Sequence, residues 1–518
     1  MPTPRSNPNY NVHFSDAKIK SIVCKSLDEV DPEEINIEQL PSGKSFNNRI
    51  YYVDICTKLR SGEESLVASD ASDTGDEESL ERITSRRTPA TTSYALKVIG
   101  RGFDARKIQN EIACLLLLEK YCPSMSVPRV LSWSEDGGRV QTRSDPQGSV
   151  SLEAHEHLPT QALRNLSISD ADDQQDLKQG WMLLSRVPGR IIYPKDLEGS
   201  DGEKLMMQVA GYIADWRKNM PRGNAIGNVV LIPQAVDAPP AATLYVRSIL
   251  PGTDVYIQGR LTGHVQPSRP LKTHLEYVTH RLNSALRKLQ DYEIYQYIRE
   301  PMTSAVNRFM TDTLPQLDIA YPPEKRRQAE CSESFPDEAE VGEKHMFTHY
   351  DLSPRNVLVT ESDDGHLNVS AILDLEFSGM YPIYEEFANT LVNDAYDWPT
   401  HSYNIFMTEL RKLEALPAAL GHANYCCNGV TGDREYTSEL HKDEIIPVGD
   451  LVFHQACLVM RVIENIAPWW VKDSCNLTVD ELHAELDGAY SRVDRAIKAL
   501  QAMCPVVHCQ GLDMKMPN

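Results

Sequence analysis

The sequence predicts an α+β fold in which a small, β-rich N-terminal lobe precedes a large helical C-terminal lobe. Runs with the alternation and composition of strands dominate the chain as far as residue 187, and apolar residues at helical spacing dominate after it. The chain has 518 residues, more than one hydrophobic core usually serves, so we expect two lobes lengthened by insertions.

The predicted boundaries follow changes in composition along the chain. An N-terminal extension, a small lobe and a helical lobe occupy residues 1–40, 41–187 and 188–518. Acidic and polar tracts interrupt the lobes at residues 61–92, 136–179 and 322–343. Such tracts bury too little apolar surface to offset the entropy of ordering, so we expect disordered insertions.

The small lobe is predicted to consist of strands around one helix. The strands are expected at residues 49–56, 93–99, 127–133 and 180–187, and the helix at residues 107–121. The β-branched and aromatic content of these runs favours strands, and a proline soon after the helix favours its end there.

The large lobe is predicted to be mostly helical. Leu205, Val209 and Trp216 share one face of a helix, which we interpret as a core-facing stripe. Two further helices are expected at residues 451–466 and 479–500.

The overall charge and composition exclude some classes of protein. The net charge is −22 and the pI is about 5.1, which argues against a nucleic-acid binder, because such proteins need a basic face to displace counterions. The acidic net charge suits a cationic or neutral small substrate, although a solvated acidic surface with acidic loops is the simpler explanation. The N-terminus has no apolar run typical of a signal peptide, and no segment is long enough to span a membrane. We therefore expect a cytoplasmic protein that does not bind membranes.

One lysine and one glutamate in the small lobe have the order of a nucleotide site. Lys97 lies within the second predicted strand, and Glu111 follows on the next predicted helix. A strand lysine that pairs with nucleotide phosphates and is oriented by a helix glutamate has this order. An ordinary surface ion pair is the alternative for the same two residues.

The turn before the first of these strands is a candidate cover for phosphates. Gly43 permits an unusual backbone torsion, and the Ser45 hydroxyl with main-chain N–H groups could bond a phosphate. The turn does not have the pattern of a glycine-rich phosphate loop, so a plain β-turn remains an equal alternative.

The strongest signal lies at residues 346–381, MFTHYDLSPRNVLVTESDDGHLNVSAILDLEFSGMY. Asp351 and Asn356 lie on a predicted loop between two apolar runs, and Asp374 ends a second strand of a predicted hairpin. Acidic and amide side chains should therefore converge at the open end of that hairpin.

These residue types match the needs of phosphoryl transfer. Magnesium prefers hard oxygen ligands, which Asn356 and Asp374 would supply, and a separate carboxylate, Asp351, would accept the hydroxyl proton. We expect His349 to brace the loop rather than to transfer protons. Arg355 could meet a phosphate or the carboxylates, or could face solvent.

These motifs carry a resemblance to a known family. HYDLSPRN followed by ILDLEFSGMYP resembles the aminoglycoside phosphotransferase and choline kinase-related superfamily, especially its divergent fungal members. The resemblance extends more faintly to GKSFNNRIYYV, YALKV, VPRVLSW and WMLLSRVPG. It implies a bilobal, protein kinase-like fold that binds ATP and Mg²⁺.

The resemblance also implies roles for individual residues. Lys97 and Glu111 take the nucleotide-phosphate positions, and the segment that contains Ser185 and Val187 takes the adenine hinge. Asp351 takes the place of the catalytic base.

By the same resemblance, Asn356 and Asp374 are the metal ligands, and the role of Glu376 stays open. Tyr350 replaces the usual glycine and Leu375 the usual tryptophan. Neither departure removes a reacting group, but Tyr350 could narrow the acceptor pocket.

The leading hypothesis is an ATP- and Mg²⁺-dependent transfer of the γ-phosphoryl group to a hydroxyl of a small molecule. A protein kinase is one alternative, although no D-F-G or A-P-E segment follows Asp374. A catalytically weak pseudokinase that serves as an interaction scaffold is the other alternative, because the insertions are long and the phosphate turn is atypical.

Overall fold

In a computed structural model, the 518-residue chain forms two compact units. The first unit comprises Met1–Ile108 and Pro128–Arg186, and the second comprises Gln109–Val127 and Val187–Asn518. The structure describes residues 8–41, 45, 47–56, 91–101, 103, 105–142, 179–231, 248–249, 255–257, 267, 269–317, 319, 345–387, 398–415, 424–426, 446–448, 451–468, 470–471 and 477–504.

The first unit is organised around a six-stranded antiparallel sheet. Its strand order is β1-β2-β3-β6-β4-β5. The strands are β1 (Ile35–Gln39), β2 (Asn48–Cys56), β3 (Thr91–Ile99), β4 (Val130–Ser134), β5 (Gln141–Thr142) and β6 (Trp181–Ser185). Helix α1 (Asp16–Ser26) precedes the sheet, and the Ser15 hydroxyl accepts a hydrogen bond from the Lys18 N–H at its start.

Apolar residues that alternate with more exposed ones along the strands form the core of this unit. Tyr51, Val53 and Ile55 alternate along β2 and are buried against Leu96 and Trp181. The apolar residues of α1 join the same core, which explains why the segment predicted as an N-terminal extension groups with the sheet.

The observed strands enter two of the segments predicted as insertions. β3 begins at Thr91, which pairs with Cys56 across the sheet, and β5 pairs Thr142 with Ser132. Thr91 and Thr142 are polar and at least partly exposed, so the composition around them indicated a loop. Residues 61–90 and 143–178 of the predicted insertions, and all of 322–343, lie outside the described residues.

Helix α2 (Arg106–Tyr121) begins in the first unit, and its residues from Gln109 onward group with the second. The second unit contains most of the helices that the structure describes. They are α3 (Gly199–Asn219), α4 (His274–Asp291), α5 (Arg299–Arg308), α6 (Thr400–Lys412), α7 (Leu451–Ile466) and α8 (Val479–Met503).

Short strands lie among these helices. They are β7 (Arg190–Ile191), β8 (Val229–Leu231), β9 (Ser248–Ile249), β10 (Val255–Ile257), β11 (Met346–Thr348), β12 (Val357–Glu361), β13 (Leu367–Ile372), β14 (Gly379–Tyr381), β15 (Asn424–Cys426) and β16 (Ile446–Val448). The predicted α+β class, with a β-rich first unit and a helix-rich second unit, is therefore confirmed.

The predicted hairpin after the central motif is also present. β12 and β13 pair antiparallel, with Val357 opposite Ile372, and β7 adds a third strand beside β12. β11 pairs with β14, with Met346 opposite Tyr381. The loop between β11 and β12 is thus held at both ends by paired strands.

Among the described residues, no helix has both the length and the apolar character that crossing a membrane requires.

Candidate active site

The loop that contains the central motif is braced by a buried histidine. The His349 Nδ1 atom lies 3.3 Å from the Asp351 N–H, which donates to it, and Nε2 lies 2.8 Å from the Leu373 carbonyl oxygen. Because Nδ1 accepts, the proton is on Nε2, which donates to Leu373. His349 therefore ties the loop to the end of β13 and has no free ring nitrogen for proton transfer.

The Asp351 carboxylate is held from two directions. The Asn356 amide nitrogen donates to the Asp351 carbonyl at 2.7 Å and to its Oδ2 at 3.2 Å. The Arg355 guanidinium donates to Oδ1 at 2.7 Å. The predicted base and one predicted metal ligand thus lie side by side, and Arg355 meets the carboxylate of the base.

The environment moves the pKa of Asp351 toward neutrality. Burial raises its pKa to about 7, and the nearby Asp374 carboxylate adds to the rise, while Arg355 opposes it. A general base works best when its pKa is near the working pH.

A second buried acid holds the loop backbone from behind. A Glu386 carboxylate oxygen accepts from the His349 N–H at 2.6 Å, and Glu386 also accepts from the Tyr350 N–H. Burial raises the pKa of Glu386 to about 7, and the buried Arg217 opposes this rise. Glu386 was not predicted as a site residue.

Two further contacts fix the loop carbonyls. The Ser378 hydroxyl donates to the His349 carbonyl at 3.0 Å, and the Trp398 Nε1–H donates to the Leu352 carbonyl at 2.8 Å. Because both carbonyls are paired with rigid neighbours, the backbone on either side of Asp351 has little freedom.

The turn that presents Asp374 has an unusual backbone. Asp374 has φ of 65° in the left-handed region, where only small polar residues and glycine are common, and a short turn follows it. The buried Asn110 amide on α2 donates to the carbonyls of Glu376 at 3.1 Å and Ser378 at 3.0 Å. Its oxygen accepts from the Val229 N–H at 2.9 Å. Asn110 therefore fixes the turn that carries Asp374.

Three carboxylates lie close enough to share a cation. Glu111, Asp374 and Glu376 each offer one oxygen, and these atoms lie within 4.8 Å of one another. Asn356 uses its amide nitrogen on Asp351, which leaves its amide oxygen as the atom that could face a cation. Carboxylate and amide oxygens are the ligands that Mg²⁺ prefers. The predicted ligand Asp374 thus lies beside two acids whose role as ligands the sequence left unassigned.

The predicted nucleotide-binding residues lie on both units. Lys97 is buried on β3, and Ser45 lies in the first unit before β2. The Ser185 hydroxyl at the end of β6 accepts from the Arg129 N–H at 2.8 Å, and the half-buried Val187 begins the next segment of the second unit. Their roles in binding ATP, including the pairing of Lys97 with Glu111, stay predictions.

The residues that sequence reasoning missed share one property. Asn110, Glu386 and Trp398 each support the loop or the Asp374 turn from a remote part of the chain. Nothing in their local sequence marks them. The signal available was indirect: a loop that fixes two reacting groups must have its buried carbonyls and amides paired.

Comparison with known proteins identifies the family of the chain. Residues 79–411, more than half of the chain, match the model of the phosphotransferase enzyme family. The chain belongs to that family, so the predicted family and the predicted enzyme class, a phosphotransferase, are confirmed. A search of curated proteins gave no match.

Several solved structures resemble the chain at low identity. The ADP-bound aminoglycoside phosphotransferase APH(2'')-Ib is 9% identical, with 93% of this chain and 99% of that chain covered and a TM-score of 0.43. An ethanolamine kinase from Plasmodium vivax is 10% identical, with 93% and 89% covered and a TM-score of 0.38. A choline/ethanolamine kinase family protein from Mesorhizobium loti is 11% identical, with 94% and 98% covered and a TM-score of 0.37.

Proposed function

We propose that the protein transfers the γ-phosphoryl group of ATP to a hydroxyl group of a small molecule, with Asp351 as the base that accepts the hydroxyl proton. The observation that carries this proposal is the Asp351 carboxylate, which is partly buried, is fixed by Asn356 and Arg355, and is influenced by the nearby acids Asp374 and Glu376. Its raised pKa, about 7, suits that role.

The chain's own residues divide the remaining work. Asn356 and Asp374, with Glu111 or Glu376, would hold Mg²⁺, which neutralises phosphate charge when it is bound. His349 and Glu386 keep the loop fixed, so that Asp351 meets the acceptor hydroxyl without a large loss of entropy in each turnover. Lys97 would pair with the nucleotide phosphates, Ser45 would bond a phosphate, and Ser185 and Val187 would line the adenine hinge.

The acceptor class rests on charge and family. The phosphotransferase family match covers the whole site segment, and the solved relatives include kinases of ethanolamine and aminoglycosides. With a net charge of −22, the chain favours a cationic or neutral acceptor over an anionic one. We infer a cytoplasmic enzyme that acts on small molecules.

The two alternative functions, a protein kinase and an inactive scaffold, would give different results in activity and binding assays. A protein kinase would phosphorylate a generic protein substrate and leave small hydroxyl compounds untouched. A scaffold that lacks activity would show no rise in melting temperature at saturating Mg-ATP, because a ligand that binds only the folded state must stabilise it. We expect a clear rise, followed by ADP release in a screen of hydroxylated amines and alcohols.

Replacement of the base is the most direct test of the mechanism. In Asp351→Asn, kcat should fall by a factor of at least about 100, because general-base catalysis contributes roughly that much or more. The affinity for Mg-ATP, measured by thermal shift, should change little. The matched control is Asp363→Asn, since Asp363 is exposed on the hairpin turn between β12 and β13. If Asp351→Asn retains full activity, Asp351 is not the base.

A further inference from the structure

The residue that precedes the proposed base has a strained backbone. Tyr350 has φ of 74°, in the left-handed region that bulky residues rarely occupy. Such a conformation persists only where the surroundings hold it in place. The contacts of the Tyr350 ring should therefore show what holds it and why a large aromatic side chain is present.

The Tyr350 ring extends from the loop into a buried polar cluster. Its centroid lies 4.9 Å from that of Tyr381, and the Arg281 guanidinium lies over the ring at 5.7 Å. The Tyr350 side chain also hydrogen-bonds with Tyr277. The backbone of Tyr350 thus belongs to the loop, whereas its side chain belongs to the cluster around Arg281.

That cluster is centred on a buried ion pair. The Arg281 guanidinium donates to Glu385 at 2.6 Å, and both side chains are almost wholly buried. The Tyr277 hydroxyl donates to the same Glu385 oxygen at 2.8 Å. Tyr277 therefore contacts both the ion pair and the Tyr350 side chain.

The cluster reaches the surface at one carboxylate. The second Arg281 amino group donates to Glu464 on α7 at 3.3 Å, and the Glu464 side chain is 30% exposed. A continuous series of contacts therefore runs from Glu464 on α7 through Arg281 on α4 and Tyr277 to Tyr350, the residue that precedes Asp351.

The loop is held at Tyr350 from a second direction. Glu386 accepts from the N–H groups of His349 and Tyr350, so the peptide on the N-terminal side of Tyr350 is fixed. The ring contacts fix its side chain. With both fixed, φ of Tyr350 is determined, and this torsion sets the direction in which the chain continues to Asp351.

We propose that Tyr350 is a positioning residue, whose ring, anchored on the Arg281–Glu385 pair, holds Asp351 in its working orientation. This inference rests on the proposed function of Asp351. The tyrosine thus does more than fill space. Because its ring packs against the buried ion pair of Arg281, its side chain holds one backbone torsion next to the base. Glu464 contributes through Arg281 although it touches neither the loop nor Asp351.

The first test separates orientation from folding. Tyr350→Gly tolerates φ of 74° but also other torsions, and it removes the ring, so kcat should fall by a factor of about 100 with the KM for ATP changed less than about threefold. Tyr350→Phe keeps the ring and loses the hydroxyl, and should lose less than about tenfold in kcat. The control is Tyr295→Phe, a buried tyrosine whose hydroxyl donates to the Pro468 carbonyl away from the loop, and its kcat should not change.

The second test asks whether the anchor acts through the tyrosine. Glu464→Gln should lower kcat severalfold in the wild-type background and have no further effect in Tyr350→Gly, because the connection is already absent. An equal effect of Glu464→Gln in both backgrounds would overturn the inference. So would a Tyr350→Gly enzyme that keeps kcat within twofold of wild type.

Hydrogen exchange supplies a readout that does not need turnover. The amide of Asp351, whose N–H donates to His349, should exchange at least about tenfold faster in Tyr350→Gly than in wild type, and at the wild-type rate in Tyr295→Phe. An unchanged rate in Tyr350→Gly would refute the positioning role. If the wild type binds Mg-ATP but phosphorylates no acceptor, the proposed function fails, while the exchange rates still decide the role of Tyr350.

Discussion

Two ion pairs at the loop that carries Asp351 have nearly the same length but opposite surroundings. Arg281 and Glu385 are 2.6 Å apart and their side chains are 1% and 0% exposed. Arg355 and Asp351 are 2.7 Å apart and their side chains are 53% and 26% exposed. Distance therefore says little about what each pair does for the protein.

Burial decides the difference. Removing one partner of a buried pair leaves an uncompensated charge without water, whereas an exposed partner is simply rehydrated. The buried pair is thus suited to fixing structure. The exposed pair is suited to exchange partners, because Arg355 can leave Asp351 at small cost when substrate binds.

Breaking the buried pair should have the largest effect on stability. Glu385→Ala should lower the free energy of unfolding by about 3–5 kcal/mol, because the Arg281 guanidinium would stay buried without its main partner. Urea unfolding of the full chain would measure the loss.

The matched control replaces both charges. In the double variant Arg281→Met with Glu385→Leu, no buried charge is left unpaired, so the cost should be clearly smaller than that of Glu385→Ala alone. A double variant as unstable as Glu385→Ala would mean that lost side-chain contacts, and not the unpaired charge, determine the cost.

Two buried titratable groups, His345 and Glu386, extend the comparison to the pH dependence of stability. Burial lowers the pKa of His345 to about 4 from its ordinary 6.5. Between these values the unfolded chain binds the proton and the folded chain does not, so stability falls as pH falls from 6.5 to 4. His345→Gln should remove a loss of about 3 kcal/mol over that range, measured by urea unfolding at several pH values.

Glu386 should act in the opposite direction. Burial raises its pKa to about 7 from 4.5, so the folded chain holds the proton that the unfolded chain releases, and stability falls as pH rises from 4.5 to 7. In the wild type the two slopes oppose each other between pH 4.5 and 6.5. Relative to the wild type, Glu386→Gln should therefore make the slope of stability against pH more positive, and His345→Gln should make it more negative. Parallel curves for the two variants would contradict both assignments.

The contrast between local and remote contacts also explains what the sequence could predict. The β12–β13 hairpin and the loop with Asp351 and Asn356 were predictable, because alternation and a compact motif encode them over a few dozen residues. Arg281 and Glu386 were not, because each becomes relevant only when distant elements meet. A buried arginine on a helix has no local pattern that separates it from a surface arginine.

The smallest effect is expected for the exposed pair. Arg355→Ala should change the free energy of unfolding by less than about 1 kcal/mol, and added salt should reduce even that difference, because solvent screens the pair. The matched control is Lys498→Ala on α8, whose Nζ lies 2.8 Å from Asp494 in another exposed pair with the same four-residue spacing. Equal small losses in urea unfolding would show that the loop draws little stability from Arg355, so the arginine could exchange Asp351 for a phosphate at small cost. A loss for Arg355→Ala near that of Glu385→Ala would mean that Arg355 is a structural support of the loop and that exposure does not separate the two pairs.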